Sequence, residues 1–132
     1  MIPKLAPGSR ILIVEDAQET RDSIKVLLKR DGYCVDAVRD EEEAVERIQH
    51  NSPNLILISL AGTTEQVVST AKRIRSRGGL DDHIPLVIFS LSILPEGAEE
   101  ELPGNVHVTA PDNFDQLRAL LTRVVHGPLR TQ

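Results

Sequence analysis

The chain has 132 residues, room for one domain around a single core and too few for two. Hydrophobic residues make up 40% and charged residues 27%, which excludes a disordered chain, and no apolar run approaches the ~20 residues of a membrane span. A formal net charge of -5 and an aromatic content of 2% leave little for gripping a phosphate backbone or stacking bases, so neither nucleic acid nor membrane is an expected partner.

The elements follow in chain order. The opening "MIPKLAPGSR" lacks the apolar stretch of a secretory leader. "RILIVE", Arg10 to Glu15, is a compact β-branched strand. Gln18 to Arg30 sets Ile24, Leu27 and Leu28 at helical spacing, and Gly32 stops it. Glu15 and Asp16 are placed to cap that helix, and Asp16 with Glu19 three residues later resembles a capping box. "YCVDAV" is the second strand. Its Cys34 has no second cysteine to bond, so the cytoplasm is the expected compartment and a core filler its expected role.

"RDEEEAVERIQHN" then opens a helix with Asp40, Glu41, Glu42 and Glu43, where the helix dipole favours acids. Ser52-Pro53 breaks it, and "NLILISL" is the third strand. Thr63 to Arg77 is a helix with Val67, Val68, Ala71 and Ile74 on one side. Lys72, Arg73, Arg75 and Arg77 fill its last turns, and Gly78-Gly79 ends it. "IPLVIFS" is the fourth strand. "LPEGAEEELPG" holds at most a short helix, and "NVHVTA" is the fifth strand. Phe114, Leu117, Leu120, Leu121 and Val124 mark a last helix before Gly127-Pro128.

Five strands alternating with five helices imply an α/β fold, a doubly wound parallel sheet with helices on both faces. Chemistry in such a sheet sits at the carboxyl ends of the strands, which here hold Glu15-Asp16, Ser59, Ser90 and Ala110-Pro111. The remaining histidines, His50, His83 and His126, show no metal-ligand spacing.

The order of "ILIVEDAQETR", "SPNLILISL", "IPLVIFS" and "VTAP" resembles the receiver domain of bacterial two-component response regulators, from about Arg10 to Val125. The resemblance implies one domain over 1–132 with its core at about 10–125. It also implies a flavodoxin-like five-stranded sheet in the order 2-1-3-4-5. In that family an acidic pair holds a divalent cation, and Glu15 and Asp16 match it. An aspartate ending the third strand accepts a phosphoryl group, and Ser59 stands there. Ser90 matches the hydroxyl after the fourth strand. His107 falls where an aromatic residue or histidine changes rotamer, though a surface strand histidine is the plainer reading. A lysine precedes the last proline; here Pro111 follows Ala110.

The two departures fit each other. An aspartate beside two carboxylates needs a nearby cation, and without the acceptor the lysine has little to pair with. A serine hydroxyl needs an added base to become a nucleophile. The cation site loses a charge, so only weak Mg²⁺ binding through Asp16 is expected and no cofactor otherwise.

The resulting expectation is an atypical receiver that is not an enzyme and binds proteins without phosphorylation. Its partner would be a signalling kinase or downstream effector, docked on the face of the fourth helix, fifth strand and fifth helix, with Glu99, Glu100 and Glu101 steering basic partners. A receiver still switched by phosphoryl chemistry is the alternative. A flavodoxin-like ligand binder or enzyme is a further one, disfavoured by the acidic "EDAQET" where a glycine-rich phosphate loop would lie. The short tail after the last helix suits either a single-domain regulator or a fragment.

Overall fold

Ile11 to Val14 of β1 (Arg10–Glu15) and Leu55 to Ile58 of β3 (Leu55–Ser59) are buried without exception. A strand apolar on both sides needs cover on both faces. The computed structural model, which describes residues 9–89, 97–110 and 113–126, shows that cover in helices. Between the strands run α1 (Gln18–Arg30), β2 (Cys34–Val38), α2 (Glu41–His50), α3 (Thr64–Arg77), β4 (Leu86–Phe89), β5 (Glu99–Leu102), β6 (Val106–Thr109) and α4 (Phe114–His126).

The sheet has six strands in the order β2-β1-β3-β4-β6-β5. The five from β2 to β6 are parallel and reproduce the expected 2-1-3-4-5 arrangement, β6 being the expected fifth strand. Alternate residues feed two cores. Leu12, Val14, Ile56 and Ile58 meet Ile48 of α2 and Ile74 of α3. Ile11, Ile13, Leu55 and Leu57 meet Leu28 of α1 and Leu121 of α4.

The sixth strand corrects the sequence reading. Where "LPEGAEEELPG" suggested a short helix, its described part forms β5, antiparallel to β6, with Glu100 opposite Val108 and Glu101 opposite His107. Glutamate disfavours strands, but tertiary pairing overrides so weak a preference. Among the described residues there are therefore four helices, the last of them the expected fifth.

Gly97, at φ 87°, makes the turn into β5. Its N–H donates to the Ala110 carbonyl at 2.6 Å, and the Ala110 N–H donates to the Ala98 carbonyl at 3.0 Å. Two residues thus oppose one, a glycine-led β-bulge. Two side chains of α4 hold the strand down. Arg123 Nη2 donates to Glu99 Oε1 at 2.7 Å, and Gln116 Nε2 to the Gly97 carbonyl at 2.7 Å.

Two smaller expectations also change. Cys34 is exposed rather than a core filler, because β2 is an edge strand and its neighbour Tyr33 takes the buried place. Asp16 does not cap α1, whose N-cap is Ala17 without a side-chain cap bond. The capping box the sequence reading missed lies at Thr63 and Gln66, at the start of α3.

The acidic start of α2 does more than meet the dipole. Arg73 of α3 donates twice to Glu41 at 2.7 Å, and Arg77 donates to Glu41 and Glu42 at 2.9 Å. These bonds, Arg73's first, lower the Glu41 pKa to about 2. The depressed value gives stability present above the ordinary carboxylate value of 4.5 and lost as pH falls toward 2. Both arginines are solvent-exposed, so Glu41→Gln should cost only about 1 kcal/mol at pH 7 and nothing near pH 2. Ile58→Ala, in the fully buried layer, should cost about 2–5 kcal/mol in urea unfolding at either pH that keeps the fold.

Candidate functional site

The carboxyl ends of the strands bring Glu15 and Ser59 side by side. They are the last residues of β1 and β3 and are paired in register. Glu15 is buried, unusual for a carboxylate, and the fold compensates it. Its Oε2 accepts the Ala17 N–H at 3.0 Å, doing at the start of α1 what a cap residue would do. Its backbone carbonyl accepts from Arg21 Nη1 at 2.9 Å. Asp16, the next residue, is exposed, and Ser59 is half-buried.

Arg21 was not singled out from the sequence. It lies one turn inside α1, six residues after Glu15, and brings a guanidinium to the end of β1. The signal was a basic residue on the first turns of a helix, where the dipole favours acids. Among the described residues a guanidinium thus reaches this end of the sheet from α1.

Ala110, at the expected lysine position, is buried, and its backbone is tied into the bulge at Gly97 and Ala98. Thr109, just before it, pairs with Phe89, and its Oγ1 is buried with no hydrogen-bond partner among the described residues. Ser90 and Pro111 lie outside the described residues.

His107 is half-buried on β6, between Val87 and Glu101. Its Nε2 lies 3.0 Å from Asn105 Oδ1. Burial lowers the ring pKa below its ordinary value; Glu101 and Glu99 oppose the shift and Arg123 adds to it. The histidine is therefore neither the plain surface residue of the sequence reading nor free to turn without losing a bond.

The donors fit a magnesium ion poorly. Mg²⁺ demands near-octahedral oxygen ligands, with carboxylates supplying the charge. Glu15 Oε2 is committed to the Ala17 N–H, Ser59 offers a neutral hydroxyl, and Asp16 stands exposed. Among the described residues no group of three or more His, Cys, Asp or Glu side chains is placed to hold a metal. Nor is any helix among them long and apolar enough to cross a membrane.

Comparison with known proteins gives one consistent family. The model of the "Response regulator receiver domain" family matches residues 11–103. Response regulator MprA of Mycobacterium sp. (strain KMS) is 26% identical over 122 residues, covering 86% of this chain and 51% of that protein. Virulence transcriptional regulatory protein PhoP of Salmonella typhimurium (strain 14028s / SGSC 2262) is 27% identical over 118 residues, covering 83% and 49%. The chain spans about half the length of these curated relatives. Among solved structures, the receiver domain from the hybrid histidine kinase CckA superposes with a TM-score of 0.64 at 21% identity, covering 88% of this chain and 98% of that one. Response regulator TrrA of Thermotoga maritima in complex with Mg(2+)-BeF gives 0.65 at 20% identity, covering 88% and 98%. These structural likenesses speak for the fold.

The His107 geometry sets a pH dependence. With its pKa depressed by burial, the ring's contribution to stability is present above the ordinary imidazole value of 6.5 and is lost as pH falls through the lower folded value. Unfolding free energies measured from pH 8 to pH 5 should fall less steeply in His107→Gln than in the natural protein. The imidazole resonance of His107 should titrate below 6.5; a midpoint above it would contradict the burial argument.

Proposed function

Because the chain belongs to the response regulator receiver domain family, a family of two-component signalling modules and not of enzymes, we propose that it acts as a pseudo-receiver. In this reading it is a cytoplasmic recognition module for another signalling protein, working without phosphorylation of its own chain. The observation that carries the reading is the register of Glu15 with Ser59. In this reading Ser59 brings a hydroxyl to the acceptor position and Ala110 stands at the lysine position, buried and with its backbone tied into the bulge.

The chemistry supports it. An acyl phosphate forms on an ionised carboxylate; Ser59 is protonated at neutral pH and would need a base. Glu15 is its neighbour, but the Glu15 Oε2 already accepts the Ala17 N–H. The developing phosphoryl charge would also lack the lysine that neutralises it. Asp16 remains as a weak ligand for Mg²⁺.

The proposed partner surface is α4, β6 and the edge strand β5. A solved complex of histidine kinase ThkA with response regulator protein TrrA is among the folds this chain resembles, at a TM-score of 0.67 and 18% identity. A kinase or a downstream effector is accordingly the class of partner proposed. The face carries Glu100 and Glu101 exposed on β5, which favours a partner with a basic surface.

Beryllofluoride with Mg²⁺ tests the reading, with amide NMR as the readout. The natural protein should show no saturable shifts near Ser59. The Ser59→Asp, Ala110→Lys double variant should show them at Asp16 and position 59. Saturable shifts around Ser59 in the natural protein would sink the pseudo-receiver and favour a receiver still switched by a phosphoryl group.

A further inference from the structure

At the end of the sheet opposite Ser59, the β5–β6 hairpin meets the last turns of α3 and lines an open cavity of about 330 Å³. Its lining is Lys72, Arg75, Ser76, Leu80, Asp82 and Gly104. Lys72, Arg75 and Ser76 share one face of α3 by their spacing. Leu80 and Asp82 come from the loop before β4, and Gly104 from the hairpin turn.

Arg75 is the centre of it. Its side chain is only 6% exposed. Nη1 donates to the Ile84 carbonyl at 2.9 Å, which fixes the guanidinium plane. Nη2 faces the cavity, where it meets Asp82 Oδ1 at 3.0 Å. The Asp82 side chain is 75% exposed, so the bond that completes Arg75 is open to water and to competitors. Among the described residues Lys72 makes no ion pair. Gly104, at φ +88°, keeps the space open: a Cβ there would lie 3.5 Å from Arg75 Nη2 and 3.9 Å from Lys72 Cε.

We propose that this cavity is a binding site for a single oxyanion, a carboxylate or phosphate of a small molecule, and that the Asp82 carboxylate occupies the ligand's position in the free protein. A planar guanidinium already fixed at one end receives a two-oxygen anion with little further loss of freedom. Exchanging Asp82 for a ligand keeps the buried guanidinium paired and releases a carboxylate that already faces water, and the ligand gains Lys72 and the Ser76 hydroxyl. Leu80 supplies an apolar wall for the body of the ligand. The site lies at the far end of the sheet from Glu15 and Ser59 and does not depend on how they are read.

Amide NMR titrations with inorganic phosphate and with acetate test this, each against sodium chloride at matched ionic strength. Saturable shifts grouped at Arg75, Ser76, Leu80, Asp82 and Gly104 are expected. Saturation by one anion and not the other identifies the source. Asp82→Asn should bind about threefold to fivefold tighter, the share a surface ion pair withholds, and Lys72→Ala weaker by about the same factor. Shifts that follow ionic strength as they do in chloride overturn the proposal, as does unchanged affinity in a folded Asp82→Asn. If Asp82→Asn does not fold, Lys72→Ala on exposed Lys72 decides, and unaltered affinity there overturns it too.

Discussion

The three central strands β1, β3 and β4 carry no polar side chain between their ends, and most of the structure follows from that constraint. A strand such as Leu55–Ile58, buried on both sides, can exist only between two layers of helix. The layers force right-handed crossovers, and crossovers leave the strands parallel. Parallel strands line up their carboxyl ends, so the polar residues excluded from the middle collect there in one row. Glu15 and Ser59 are neighbours because each ends its strand and the two strands are paired in register.

The same constraint explains what the sequence made legible. Uninterrupted apolar runs identify β1, β3 and β4, and helical spacing identifies α1, α2, α3 and α4, because burial on a fixed face leaves a period. It leaves none where structure comes from pairing with a distant partner. β5 is an acidic run that no strand preference would select, and it exists because β6 offers it a ladder while Arg123 and Gln116 hold it. That Glu15 and Ser59 end their strands was legible in the sequence from the apolar runs before them. The turn of the Glu15 carboxylate to the start of the next helix was legible too, but the Arg21 guanidinium on a backbone carbonyl and Ala110 tied to Gly97 were not. Arg75 reads in sequence as one more cation at a helix end, and only packing against the hairpin shows it to be buried.

The two ends of the sheet contrast in charge. At the carboxyl end a buried carboxylate stands beside a hydroxyl, and a guanidinium from α1 bonds the backbone carbonyl there. At the amino end a buried guanidinium and a lysine share a cavity with one exposed carboxylate. Hairpin β5–β6 reaches both, through its bulge at Gly97 and its turn at Gly104. Asn105, at φ 62°, fastens that turn, donating from Nδ2 to the Asp82 carbonyl at 2.9 Å.

That hairpin also bears on how the chain assembles. The parallel pairs of β1 join residues far apart in sequence, and each must close a long loop before any contact rewards it. β5 and β6 are joined by a short turn and can meet on the microsecond scale of hairpins in general. A hairpin formed first would bring β6 to β4 with its far side already covered by a row of glutamates. In a partly collapsed chain, where a bare apolar edge would invite a neighbouring molecule, β6 would then carry a charged guard on its open side.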